Sequence, residues 1–376
     1  MYSPPDGISR SAKRRKLRLM CIDLTSDIEK NDEENILTKY EFADIKDSCK
    51  IEYNGESIEF NVKQLIYLNK LGEGSFGLVH LVKLENHPNV KFACKVSWNL
   101  NLKKKTNFYF YLFEIKKRLT LEHDGYQNYS SQSDLKAMRT VGNDRHPHIV
   151  CYYGALIDDG QLIICMEPLE TSMDKFYPIL HSQFHPTSSL LDKFIRRLAK
   201  HIVLGLNYLK SKNLIHRDVK PQNMLVANNV IFKLCDFGIC GTLKDSISST
   251  HLGSMRYLPP ERLGNICSYG TRSDMWALGM SLLEVSQGYL PLSSESIMSF
   301  MSHMKNDWQP DIPTTLSQQT RDLISILLER DVNQRPRYYN DILSMPSMTT
   351  LEQNPSEDER NLIENILKSL PIPTPE

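Results

Sequence analysis

The pattern of apolar and polar residues divides the chain into two parts. Between residues 65 and 167, glycine, asparagine and proline separate four strand-like runs, at 65–71, 78–84, 91–96 and 162–166. After Pro168 the apolar residues recur at helical steps, as in Leu191, Ile195, Leu198, Ile202, Leu206 and Leu209, and similar patterns cover 274–285 and 320–328. We therefore predict an α+β, bilobal domain at 65–347, with a small antiparallel-sheet lobe (65–167) and a mostly helical lobe (168–347).

Both ends of the chain are polar, and their charges are segregated. Residues 1–64 carry a basic cluster at 13–16 and an acidic one at 32–34, whereas 348–376 combine an acidic run with a proline-rich end. Such segments bury little apolar surface, so we expect both to be flexible tails.

Composition argues against several classes of protein. The chain has 376 residues and 40% hydrophobic content, enough for a two-lobed domain, and its 45 basic and 45 acidic residues give no support for a nucleic-acid or membrane-surface role. The eight cysteines form no paired C-x-x-C array, no apolar run approaches the roughly 18 residues of a membrane span, and the first residues lack the apolar core of a secretion signal. We expect a protein with reduced thiols in the cytoplasm, with the nucleus as a second location.

Two motifs in the second lobe carry the chemistry of phosphoryl transfer. Residues 216–223 read His-Arg-Asp-Val-Lys-Pro-Gln-Asn, and 236–238 read Asp-Phe-Gly. Transfer from a nucleotide needs a carboxylate that orients the acceptor, a cation on the migrating phosphate and oxygen ligands for Mg²⁺. The candidates are Asp218 as base, Lys220 as cation, and Asn223 and Asp236 as metal ligands. The motifs resemble the catalytic core of eukaryotic protein kinases, and Lys220 resembles the Ser/Thr type.

A glycine-rich stretch lies near the start of the first lobe. Residues 71–79 read Leu-Gly-Glu-Gly-Ser-Phe-Gly-Leu-Val, and this G-x-G-x-x-G spacing allows backbone N–H groups to approach triphosphate oxygens. A dinucleotide-binding fingerprint would need a helix directly after the glycines, whereas 78–84 reads as a strand. Resemblance to kinases implies that Lys95, in Phe-Ala-Cys-Lys-Val, grips the α- and β-phosphates of ATP.

The run Ile-Ile-Cys-Met-Glu-Pro-Leu at 163–169 is expected to connect the lobes and to recognise adenine. The carbonyl of Glu167 and the N–H of Leu169 would bind the base, with Met166 behind it. The candidate nucleotide-contacting residues are Leu71, Gly72, Gly74, Gly77, Val79, Ala93, Lys95, Met166, Glu167, Leu169 and Leu225.

An acid on the next helix should pair with Lys95, and its identity is open. An insertion at 124–133 interrupts the helical pattern there, so that Glu122 and Asp134 are both candidates. Two further contacts are expected to be structural. Glu261 should pair with Arg335, and Asp274 should anchor the catalytic loop.

The segment 233–246 resembles a MAP kinase kinase. It reads Lys-Leu-Cys-Asp-Phe-Gly-Ile-Cys-Gly-Thr-Leu-Lys-Asp-Ser, with Cys240 where the family has serine, and 166–177 resembles the stress-activated branch. The resemblance implies that an upstream MAP kinase kinase kinase phosphorylates Ser246 and Thr250. The same branch implies ATP and Mg²⁺ as cofactors and a stress-activated MAP kinase as substrate, phosphorylated on threonine and tyrosine.

The N-terminal basic cluster has two interpretations. Residues 13–19 read Lys-Arg-Arg-Lys-Leu-Arg-Leu, and a basic cluster followed by Leu-x-Leu is typical of MAP kinase docking segments. The docking residues would be Lys13, Arg14, Arg15, Lys16, Leu17 and Leu19. A nuclear-localisation signal is the competing interpretation. The region 323–345 is a candidate surface for the upstream kinase, or simply a packed helix.

Two alternatives to a MAP kinase kinase stay open. One is a Ser/Thr kinase at another level of a cascade. The other is a pseudokinase that only docks partners, although Lys95, Asp218, Asn223 and Asp236 are all present, which argues against it.

Overall fold

The computed structural model describes residues 48–371 except 54, 75–76, 98–138, 142–144, 159–160, 237–240, 243–251, 264–269, 292–295 and 307. Several predicted features lie outside the described residues, namely the docking segment 13–19, Glu122, Asp134, the insertion 124–133, Ser246 and Thr250.

The first half of the described chain is built from strands. Their bounds are β1 Cys49–Tyr53, β2 Glu56–Phe60, β3 Leu65–Gly74, β4 Gly77–Leu84, β5 Lys91–Ser97, β6 Tyr152–Asp158 and β7 Gln161–Met166. The last five form one antiparallel sheet in the order β3-β4-β5-β7-β6, and β1 pairs with β2. The predicted antiparallel lobe is confirmed. The sequence prediction missed β6, whose alternation is interrupted by Gly154.

The flexible tail predicted for residues 1–64 is wrong for 48–64, because β1 and β2 form a hairpin that joins the core. Its inward residues Cys49, Ile51, Ile58 and Phe60 are buried and pack with residues of the sheet such as Phe92. Apolar side chains alternate along both short strands, and this burial stabilises the hairpin.

Gly154 allows β1 to approach β6 closely. A Cβ atom at Gly154 would lie 2.6 Å from the Cys49 Sγ, and its φ of 157° is one that other residues rarely adopt. A side chain at this position would therefore push the hairpin off the sheet.

The second half is mostly helical, as predicted. Its elements are β8 Thr171–Ser172, α1 Met173–Ile179, α2 Ser188–Ser211, β9 Leu214–Ile215, β10 Met224–Ala227, β11 Ile231–Leu234, β12 Gly241–Thr242, α3 Thr271–Gln287, α4 Ile297–Asn306, α5 Gln318–Leu327, α6 Tyr339–Leu343, α7 Pro346–Thr349 and α8 Glu357–Ser369. All six residues of the predicted apolar stripe on α2 are buried. None of the helices in the described part of the chain combines the length and the apolar composition that a membrane span requires.

The tail predicted for residues 348–376 is also wrong for 348–369, since α7 extends to Thr349 and α8 follows it. Helix α8 begins with a capping box between Ser356 and Glu359 and buries Leu362, Ile363 and Ile366. Glu359 also forms an ion pair with Arg197 of α2 (Nε to Oε1, 2.6 Å), and both side chains are only 2% exposed. The run of acids that suggested a tail is the first turn of this helix, where the helix dipole favours negative charge.

Candidate active site

One buried carboxylate holds the catalytic loop (residues 216–223) in place. Asp274, in the first turn of α3, accepts the backbone N–H groups of His216 (3.0 Å) and Arg217 (2.9 Å). The predicted anchoring role of Asp274 is thus confirmed. Arg217 has a left-handed backbone (φ 68°), which costs free energy in a non-glycine residue and needs such support.

His216 connects the two catalytic motifs. Its Nδ1 accepts the N–H of Asp218 (3.3 Å), so the ring proton lies on Nε2 and is donated to the carbonyl of Cys235 (3.0 Å). One fully buried imidazole therefore positions the base candidate and the residue directly before Asp236. No separate role was predicted for His216.

Asp218 lies among polar groups that set its orientation. One carboxylate oxygen lies 2.7 Å from the ammonium of Lys220 and accepts a 2.9 Å hydrogen bond from the amide nitrogen of Asn223. The same nitrogen donates to the Asp218 carbonyl (2.7 Å). Because the amide nitrogen makes both hydrogen bonds, the side-chain oxygen of Asn223 is the atom that can bind a cation. The structure brings these three predicted residues together.

Lys95 and Asp236 form an ion pair across the cleft between the lobes. Their side chains are 2.7 Å apart and only 9% and 25% exposed. Asp236 has a left-handed φ of 61°, and the preceding residue, Cys235, is held by a hydrogen bond from its N–H to the Asn223 carbonyl (3.0 Å). Two residues 141 positions apart in sequence thus meet at the point where phosphates are expected.

The residues present fit a metal-bound nucleotide. Asp236 offers a hard anionic ligand and Asn223 an amide oxygen, the types that small divalent cations prefer. A bound metal would neutralise charge on the phosphates and polarise the bond to the migrating group. Asp218 is placed to orient an acceptor hydroxyl and take its proton, while Lys220 supplies positive charge beside it.

Several of the predicted nucleotide-contacting residues lie on neighbouring strands of the sheet. In the sheet register Val79 lies opposite Lys95, Ala93 opposite Met166, Gly72 opposite Val79 and Gly74 opposite Gly77. Leu71, Val79, Leu169 and Leu225 are half-buried, whereas Ala93 and Met166 are buried.

A cross-lobe contact that the sequence did not reveal lies at this cleft. The exposed ammonium of Lys175 on α1 donates to the carbonyl of Leu71 on β3 (2.6 Å). The two residues are 104 positions apart, and α1 directly follows the connector, so no local pattern could have identified the pair.

The connector itself is held by the side chain of Glu167. Its carboxylate accepts the N–H of Cys151 (2.7 Å) and the ammonium of Lys233 (2.6 and 2.9 Å). Burial and the nearby carboxylate raise the pKa of the Cys151 thiol, which is therefore protonated. Glu167 was predicted to contribute its carbonyl, but its side chain has this second, structural role.

The other predicted structural pair is present. Arg335 donates from Nη1 to Glu261 (2.9 Å) and from Nη2 to its second carboxylate oxygen, while Nη1 also reaches the Arg272 carbonyl (2.9 Å). The pairing of Glu261 with Arg335 is confirmed. It fixes the segment after the activation loop against the start of α3.

Comparison with known proteins agrees with this geometry. The protein kinase domain model matches residues 65–348. The dual specificity mitogen-activated protein kinase kinase sek-1 of Caenorhabditis elegans is 29% identical over 335 residues, covering 87% of this chain and 91% of that protein. The protein kinase wis1 of Schizosaccharomyces pombe is 33% identical over 300 residues (76% of this chain, 44% of wis1). The MAP kinase kinase PBS2 of Saccharomyces cerevisiae is 30% identical over 296 residues (76% and 40%).

The chain thus spans most of sek-1 but less than half of wis1 and PBS2. The matched domain covers both lobes and every catalytic candidate from Lys95 to Asp236. The chain therefore belongs to the protein kinase family, as an ATP-dependent enzyme whose relatives include MAP kinase kinases.

Proposed function

We propose that this protein is a dual-specificity MAP kinase kinase of a stress pathway. It transfers the γ-phosphoryl group of Mg²⁺-bound ATP to a threonine and a tyrosine in the activation loop of a MAP kinase. The observation that carries the proposal is the convergence of the predicted catalytic side chains, in which Asp218 contacts Lys220 and Asn223 while Lys95 contacts Asp236. The relatives named as MAP kinase kinases, and the resemblance of 233–246 to that family, support the choice of substrate.

The proposal includes activation by an upstream MAP kinase kinase kinase at Ser246 and Thr250. Each phosphate would add about −1.5 to −2 charges, which can order a loop against cations such as Arg217. It also assigns 13–19 to docking of the MAP kinase and places the enzyme in the cytoplasm. The basic cluster would steer the substrate by charge, and Leu17 and Leu19 would fill small apolar pockets.

The substrate assignment is tested with a panel of kinase-dead MAP kinases. We expect the activated wild-type chain to label one panel member on both threonine and tyrosine, whereas Asp218→Asn labels none although it still binds ATP. Variants of that substrate with the threonine or the tyrosine removed show whether each site is labelled independently. If only serine or threonine is labelled, the result would favour a Ser/Thr kinase at another level of the cascade. If the chain binds nucleotide but transfers no phosphoryl group, the result would favour a pseudokinase that only docks partners.

The regulatory and docking assignments have matched controls within the chain. Ser246→Ala and Thr250→Ala should prevent activation by an upstream kinase, whereas Ser248→Ala and Ser249→Ala should not. The double variant Leu17→Ala/Leu19→Ala should raise the KM for the MAP kinase and spare a short peptide substrate, with Leu24→Ala as control. Unchanged kinetics with lost nuclear entry would instead assign 13–19 to localisation.

A further inference from the structure

A cavity of about 200 Å³ lies beside the connector and contains none of the catalytic side chains. Its lining includes Glu52 of β1, Arg145 and His146 of the loop before β6, Tyr153 of β6, Glu167 of the connector and Lys233 of β11. The volume is below the roughly 300–1,000 Å³ of sites for drug-sized molecules, so the cavity suits a smaller occupant.

The acidic side chains of this cavity do not form a cation site. The Glu167 carboxylate already accepts the ammonium of Lys233 and the N–H of Cys151, which also lines the cavity. Glu52 is exposed to solvent, where water weakens its field. Among the residues that the structure describes, no group of three histidine, cysteine or acidic side chains is arranged to hold a metal ion. These observations argue against a metal ion or another cation as the occupant.

Three hydrogen-bond donors in the lining have no acceptor within the described part of the chain. They are the guanidinium of Arg145, the Nε2–H of His146 and the hydroxyl group of Tyr153. The Nδ1 of His146 accepts the N–H of His148 (3.2 Å), and burial and the charge of Lys233 lower the pKa of His146, so the ring is neutral with its proton on Nε2. Burial raises the pKa of Tyr153 to about 12, so its hydroxyl group keeps its proton. A lining that is rich in donors suits an anion.

The backbone and the neighbouring rings hold these donors in place. Tyr153 lies at a bulge of β6, where the register with β7 shifts, and bulges commonly redirect a side chain towards a site. Its ring packs edge-on against Phe92 (6.5 Å between centroids), and the ring of His146 stacks on Tyr208 (4.5 Å). Arg145 has a left-handed φ of 45°, a conformation that is costly outside glycine and is concentrated at functional sites.

We propose that this cavity binds a small organic molecule through a single carboxylate group. Arg145 pairs with the carboxylate, and His146 and Tyr153 donate hydrogen bonds to its oxygens. Of the two cations in the lining, Lys233 is neutralised by Glu167, whereas Arg145 belongs to no ion pair among the described residues. One uncompensated positive charge matches a monoanion, and a phosphate dianion would leave one negative charge unpaired.

The test is an NMR titration of the full-length chain with sodium benzoate and sodium acetate. We expect a Kd of about 1 mM or lower for at least one of them, and no binding of benzamide, which has the shape of benzoate without its charge. Arg145→Gln should weaken binding by about tenfold or more, and Tyr153→Phe by about three- to fivefold. Glu52→Gln should strengthen it about twofold, because it removes a like charge. Arg360→Gln, an exposed arginine on α8, is the matched control and should leave the affinity unchanged.

Three results would overturn the inference. They are the absence of carboxylate binding up to about 10 mM, equal affinities of wild type and Arg145→Gln, and tighter binding of inorganic phosphate than of both carboxylates. If Arg145→Gln does not fold, Tyr153→Phe still tests the proposal, since it removes one oxygen atom and keeps the ring that packs on Phe92. The titration needs no protein substrate, so its outcome is independent of the proposed function.

Discussion

Removing the charge of Glu359 should destabilise the whole kinase domain, although the residue lies beyond the part matched by the family model. Arg197 donates to both oxygens of Glu359 (2.6 and 3.2 Å) and to the carbonyls of residues 352, 353 and 354, and the pair is 2% exposed on each side. In Glu359→Gln the guanidinium stays buried without a counter-charge. Breaking a buried pair from one side typically costs about 3–5 kcal/mol of unfolding free energy.

For a domain of about 300 residues, with an unfolding entropy near 2.1 cal/mol/K per residue, this loss corresponds to about 5–8 °C in the thermal midpoint. The assay is thermal unfolding followed by circular dichroism at pH 7. Lys368→Ala is the matched control on the same helix. It removes an ion pair with Glu364 whose side chains are 68% and 60% exposed, and we expect the midpoint to stay within about 1 °C.

Two further measurements separate the loss of the ion pair from a general disturbance of α8. The double variant Arg197→Met/Glu359→Leu removes both charges and should recover much of the lost stability, because an apolar pair of similar volume is often as stable as the ions. Burial opposes ionisation of Glu359, but hydrogen bonds from Arg197 and Ser356 outweigh it, and the pKa is lowered. The stabilisation by ionised Glu359 is therefore fully present above pH 4.5 and is lost as the pH falls below that value. The difference in thermal midpoint between wild type and Glu359→Gln should consequently become smaller at acidic pH. A midpoint change under 2 °C at pH 7 would show that the buried ion pair contributes little to the stability of the domain.

Three other predictions follow from contacts in the two lobes. Gly154→Ala should destabilise the first lobe by about 1–3 kcal/mol, with partial rescue by Cys49→Ala, because the new Cβ would lie 2.6 Å from Sγ; equal unfolding midpoints for the single and double variants would contradict this. Burial lowers the pKa of His148 to about 4 and that of His201 to about 3, from 6.5, so stability should fall as the pH drops below 6.5, by about 1.4 kcal/mol per histidine at pH 5.5. His201→Gln should reduce this dependence of the unfolding free energy on pH, as measured by chemical denaturation at several pH values. An unchanged pH dependence would contradict the prediction. Lys175→Met should raise the KM for ATP two- to fivefold, because the hydrogen bond to the Leu71 carbonyl steadies the strand that is expected to contact the nucleotide. An unchanged KM would mean that this surface contact does not affect nucleotide binding.

The sequence predicted what depends on local periodicity and on motif spacing. The stripe on α2 follows from apolar residues at helical steps, and four strands of the sheet follow from short runs bounded by glycine, asparagine and proline. Each of these elements is present. The catalytic candidates were identified because phosphoryl transfer restricts which residue types can serve, in a fixed order. The structure adds that Lys95 and Asp236 meet, which spacing alone could not establish.

The errors share a physical cause. Both ends of the chain were predicted to be tails because of their charge, and both contain an element with a short apolar face. Helix α8 has three inward apolar residues, and each strand of the hairpin has two. Such a face is stable only against a partner surface formed by distant residues, here α2 and the sheet. A search for the capping-box spacing, a serine or threonine followed three residues later by glutamate or glutamine, would have identified α8, because Ser356 and Glu359 have this spacing.

Helix α3 shows how an acidic residue in an otherwise apolar helix can indicate a contact with a distant segment of the chain. Every residue from Ser273 to Ser286 is buried, so each polar side chain on the helix needs a partner. The hydroxyl groups of Ser281 and Ser286 find one locally, by donating to the carbonyls of Ala277 and Leu283.

The carboxylates of α3 cannot use those carbonyls, because an ionised acid only accepts hydrogen bonds and the N–H groups of a helix interior are already bonded. Asp274 and Glu284 must therefore receive donors from outside the helix. Asp274 receives the N–H groups of His216 and Arg217 in the catalytic loop, and Glu284 receives the hydroxyl groups of Tyr177 and Tyr257. An acid within a helix that is apolar on all sides thus predicts that a distant segment of the chain packs against it and donates hydrogen bonds to it.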